Sequence, residues 1–67
     1  LVNAQLLDEK IDKSGYKINY ICEKMGITRS SYCMKKNNKR QFRASEIYVL
    51  SDLLKISEEE KKSIFFA

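Results

Sequence analysis

Gly26 stands between two short segments that each carry apolar residues at helical spacing, and only Ile27 and Thr28 separate them. Upstream, Ile18, Ile21 and Met25 follow a three-then-four rhythm with Cys22 inside the stripe. Downstream, Thr28 suits the N-cap of a second helix, because its hydroxyl can accept from an orphan amide of the next turn. Two helices that cross at a steep angle need a tight turn, and glycine supplies the positive φ of such a turn without a Cβ clash. Close approach also requires a small residue on the first helix. Cys22, four before the glycine, is small and apolar. Ile21, Met25, Ile27 and Tyr32 are expected to plug the joint into the core.

The rest of the chain reads the same way. It has no proline, and no alternating run bounded by turn residues suggests a strand. In "NAQLLDEKIDKSG", Leu6, Leu7 and Ile11 form an apolar stripe with Asp8, Glu9 and Asp12 outside, and Gly15 stands where a left-handed C-cap belongs. "TRSSYCMKKN" ends at Asn37 and Asn38, asparagine being the next best residue after glycine for such a cap. "ASEIYVLSDLL" carries Ile47, Leu50, Leu53 and Leu54 on one side. "SEEEKKSIFF" opens with Ser57 and Glu60 at capping-box spacing, has acidic residues where the helix start is positive, and ends on Ile64 and Phe65. The expected fold class is all-α: one domain over residues 1–67, a compact bundle of about five short helices containing a helix-turn-helix.

With 67 residues the core is small, and such domains depend on efficient helix packing, a staple or a partner subunit. Two cysteines without a histidine are a poor start for a structural zinc site, so no metal is expected. Free thiols fit a reducing cytoplasm. No apolar run approaches the roughly 20 residues of a membrane span, and no signal-peptide pattern opens the chain. Without histidine, a metal cluster or a phosphate-cradling glycine loop, neither an enzyme nor a small-molecule substrate nor a cofactor is expected.

Charge is the informative feature. From Lys24 to Ser45 the chain holds seven basic residues (Lys24, Arg29, Lys35, Lys36, Lys39, Arg40 and Arg43) and no acidic one. The remainder carries six basic and nine acidic groups. A basic stripe on an otherwise acidic small domain is the electrostatic footprint of a nucleic-acid binder; the plain alternative is a solvated basic face.

In "YICEKMGITRSSY", "NNKRQF" and "SEIYVLSDLLKISEEEKKSIFF" the chain resembles the Cro/repressor-type (XRE-type) helix-turn-helix family of bacteria and their phages, a small phage-related branch in particular. The resemblance runs from Leu6 to Phe66. It implies a lambda-repressor-like domain without cofactor that binds double-stranded DNA, commonly as a homodimer, in the bacterial or phage-infected cytoplasm. It implies that the helix from Thr28 to Lys36 reads bases through Arg29, Ser30, Cys33 and Met34. Lys17, Thr28, Ser31, Lys35, Lys36, Asn38, Lys39, Arg40 and Arg43 would hold phosphates. Arginine can grip guanine O6 and N7 bidentately, serine can bond a base or a phosphate, and methionine can touch a thymine methyl, whereas phosphate contacts set affinity and register rather than sequence.

Three departures separate the chain from the family pattern. Lys35 and Lys36 stand where an apolar residue is usual, so one lysine stem is expected to cover the core while its amine snorkels. Asn38 replaces a glycine. Ile18 stands where a glutamine often bonds phosphate. Elsewhere, Cys22 is expected to pack as a small hydrophobe, and Cys33 either faces the groove or is merely exposed. Tyr16, Tyr20 and Tyr48 are expected to be half-buried. Phe65 and Phe66 diverge by about 100° on a helix, so one should be exposed and could contribute to a homodimer contact. The reading from a different class is a helical protein–protein module, such as an anti-repressor or adaptor, that keeps the fold without the DNA role.

Overall fold

The computed structural model describes all residues from Leu1 to Ala67 as five α-helices without a strand: α1 (Ala4–Ser14), α2 (Ile18–Met25), α3 (Arg29–Lys36), α4 (Ala44–Leu54) and α5 (Glu58–Phe65). Each boundary has a local cause. Asn3 accepts from the Leu6 amide to start α1, Thr28 accepts from Ser31 to start α3, and Ser57 accepts from Glu60 to start α5. Gly26, at φ 73°, ends α2; its amide donates to Glu23 and the Ile27 amide reaches back to the Cys22 carbonyl. This closure satisfies carbonyls that a helix end would otherwise leave orphaned. Asn38 (φ 64°) closes α3 in the same way, with the Lys39 amide on the Met34 carbonyl. Lys55 (φ 53°) does so for α4.

All five helices contribute to one core: Leu7 from α1, Ile21 and Cys22 from α2, Tyr32 from α3, Leu50 and Leu54 from α4, Ile64 and Phe65 from α5. Each large apolar side chain removed from water in this way stabilises the fold by roughly 1.5–3 kcal/mol. Met25 and Ile27 pack on the margin of this cluster, as does Phe42, which belongs to no helix. The Phe42 ring meets Tyr32 and Phe65 edge-on, with centroids 6.2 and 5.6 Å away, and so ties the α3–α4 loop to the core. Phe65 is buried at the end of α5, and Phe66, the non-helical residue after it, is exposed. No helix is long and apolar enough to cross a membrane.

Both ends of the chain meet beside that loop. The Asn3 amide donates to the Ile64 carbonyl (2.6 Å) and the Ala67 amide to Leu1 (3.1 Å). The Val2 amide donates to the Asn38 side-chain oxygen (2.7 Å), and the Asn38 amide group returns a bond to the Val2 carbonyl (3.1 Å).

The tyrosine expectation needs correction. Tyr16 and Tyr20 are 41% and 40% exposed and stack on each other at 5.1 Å. Tyr48 is 71% exposed, since it lies off the α4 stripe that buries Leu50 and Leu54.

Candidate nucleic-acid interface

The core sets the orientation of α3. Tyr32 and Lys35 are its buried positions. At about 100° per residue, Ser30 then lies opposite them, with Cys33 and Met34 on either side of it. All three are exposed. Arg29, also exposed, lies nearer the edge facing α1. There it shares a groove with Cys33 and Lys36 on one wall and Asp8, Glu9 and Asp12 on the other. The four residues expected to read bases thus share one surface, with Arg29 at its rim.

The cations sort into two groups. Lys17, Lys24, Arg29, Lys39, Arg40 and Arg43 are exposed and make no ion pair. Lys24 lies over the Tyr20 ring, 5.4 Å from its centroid. Lys39, Arg40 and Arg43 all belong to the loop that leaves the end of α3. Lys17 stands at the N-cap of α2 and Thr28 at that of α3, where unsatisfied amides favour anions. The Thr28 oxygen accepts from Ser31, leaving its hydroxyl proton free to donate; Ser31 itself is half-buried.

Lys35 belongs to the second group, and its assignment to phosphate is overturned. Its amine does not snorkel. The residue is only 4% exposed, and the amine donates to both carboxylate oxygens of Glu46, at 2.6 and 2.7 Å. Its place three residues after Tyr32 turns it inward, and a carboxylate waits there. Lys36 remains partly accessible but is engaged with Asp8 at 3.3 Å. The Asn38 side chain is tied to Val2 through its oxygen and one N–H, which leaves its second N–H to donate.

Glu46 is the residue that sequence reasoning missed. Burial by itself would push its carboxyl up, but the bonds from the Lys35 amine and the Arg43 backbone amide, with the charges of both residues, outweigh this and hold it below the ordinary range. The Arg43 amide donates to the same carboxylate at 2.9 Å. The available signal was its place three residues after Arg43, in the first turn of α4.

Two further groups lie behind the face. The Tyr32 hydroxyl is buried without a protein partner, and desolvation, followed by the Asp8 charge, raises its pKa far above the usual value. The Cys22 thiol is pushed up by burial, against a smaller opposing effect of Arg29. Both therefore stay protonated at neutral pH. Comparison with protein families, curated proteins and solved structures returns no match for this chain.

Proposed function

We propose that this chain is a sequence-specific duplex-DNA-binding domain that acts as a transcriptional regulator, a repressor or switch of phage or mobile-element type. The observation that carries the reading is that three exposed cations that make no ion pair, Lys39, Arg40 and Arg43, stand in the loop that directly follows α3. A helix with its side chains, roughly 10–12 Å across, fits a major groove about 12 Å wide. In this arrangement Ser30 stands at the apex of the inserted face. Arg29 grips a guanine edge and Met34 touches a thymine methyl. Lys17, Thr28 and the loop cations hold the flanking phosphates. Repression follows from occluding polymerase, in the cytoplasm where the DNA lies. Phe66, 64% exposed beside the loop, supplies apolar surface for pairing two copies on DNA.

Fluorescence anisotropy with mixed-sequence duplex across a salt titration tests the reading. Binding should weaken steeply with salt as counterions are reabsorbed. In a selection from random duplexes, Arg29→Ala should flatten the base preference by about 1–3 kcal/mol at one position. No binding even at low salt would overturn the proposal. It would favour the helical protein–protein adaptor, which the acidic wall of Asp8, Glu9 and Asp12 beside α3 supports.

A further inference from the structure

The buried pair between α3 and α4 has a cost that needs a reason. Lys35 and Glu46 are 4% and 6% exposed, and they occupy space next to a core that is already small. A buried ion pair is often no better for stability than apolar side chains of similar volume, because desolvating two charges offsets their attraction. Apolar contact, however, is non-directional. The pair is directional: one carboxylate receives two bonds from the last turn of α3 and a third from the Arg43 amide at the start of α4.

Between those anchor points runs the loop of residues 37–43, with Lys39, Arg40 and Arg43. Its other ties are the Lys39 and Arg40 amides on the Met34 carbonyl, the Asn38–Val2 bonds and the Phe42 ring. A single carboxylate therefore links the last turn of α3 to the point where the loop enters α4, beside the backbone closure at Asn38.

We propose that Lys35 and Glu46 are positioning residues for the phosphate-binding loop: without touching DNA, they hold Lys39, Arg40 and Arg43 in register with the exposed face of α3. This rests on the DNA-binding reading. The burden of the pair is then balanced by preorganisation, since a loop held in place need not be ordered when DNA arrives.

The test replaces the pair by apolar residues, Lys35→Met with Glu46→Leu, in the full chain. Removing one partner alone would strand a buried charge, so the double variant is the cleaner one. Three readouts are taken: thermal unfolding, anisotropy with mixed-sequence duplex across a salt series, and hydrogen exchange of the loop amides. The double variant should unfold near the parent's temperature. It should bind DNA about tenfold more weakly, with a salt slope shallower by one or two counterions. Amides of residues 37–43 should exchange faster while those of α1 and α5 do not change. Lys35→Met with Glu46→Gln is the second route, because the amide oxygen can still accept from Arg43 while no charge is stranded; a loop-confined change in the same direction is expected. Parent-like affinity, slope and loop exchange in a folded variant would overturn the proposal and leave the pair as packing alone. If the parent binds no DNA, the DNA reading fails by itself. Loop exchange then still decides whether the pair positions the loop.

Discussion

The first turn of α5 and the α3–α4 loop are both crowded with like charge, yet their charges meet opposite fates. In α5, Glu58, Glu59 and Glu60 sit where the helix start is positive. Glu60 and Ser57 cap one another at 2.9 and 3.1 Å, Lys10 reaches across from α1 to Glu60, and Lys61 pairs with Glu58 at 3.2 Å. In the loop, Lys39 and Arg40 have no such answer and the Arg43 side chain makes no ion pair, its charge acting on Glu46 only from beyond ion-pair distance, although the chain holds nine side-chain carboxylates. Charge density therefore does not by itself mark a surface built for an external partner. What separates the two regions is whether the chain supplies its own counter-charges.

The strongest way to break this contrast is to empty the loop. Lys39→Ala with Arg40→Ala and Arg43→Ala should weaken duplex binding by about 10²- to 10³-fold near 0.1 M salt and cut the salt slope by about 3 units, if each holds one phosphate. Thermal unfolding should barely move. Unchanged affinity would show that the loop charges are merely solvated. The reciprocal change in α5 has the opposite signature. Ser57→Ala should destabilise the fold by about 1 kcal/mol, a shift of roughly 4–8 °C in the unfolding midpoint, without touching DNA affinity.

A smaller effect distinguishes the two carboxylates, both of which are held below the ordinary range: Glu60 by its bond from Lys10 first, Glu46 by Lys35 and Arg43 against its own burial. A carboxyl that ionises at lower pH in the folded chain than in the unfolded one stabilises the fold when charged. That contribution is complete above the ordinary carboxylate range and drains away as pH falls below it. Unfolding midpoints followed from pH 6 down to 3 should decline, and Glu46→Gln should flatten the decline more than Glu60→Gln, which removes a more solvated pair. Equal slopes in both variants would deny Glu46 its special standing.

Most of the fold was legible because its signals are local. Gly15, Gly26, Thr28 and the Ser57–Glu60 pair each act within one turn, so the helix boundaries fall where the spacing puts them. The apolar stripe of α4 is equally local, and Leu50 and Leu54 are buried as expected. Lys35 was harder. Periodicity turns it inward, but whether its amine escapes to water depends on Glu46, eleven positions away and across the loop. Asn38 shows the same limit. Its left-handed backbone follows from its residue type, whereas its bonds to Val2 span thirty-six positions that no periodicity connects. The unpaired state of Lys39, Arg40 and Arg43 could not be read at all until every carboxylate had been placed.

The seam that joins Val2 to Asn38 and Leu1 to Ala67 also has a consequence for anything attached to the chain. A segment fused ahead of Leu1 and one fused after Ala67 would leave from a single point, a few residues from Lys39 and Arg40. Either would act as a tether whose contents are held at high effective concentration over the loop. A basic tag placed there would lend phosphate contacts of its own, an acidic one would compete for the loop cations, and a folded fusion partner would shade the same surface. Neither end offers a neutral handle.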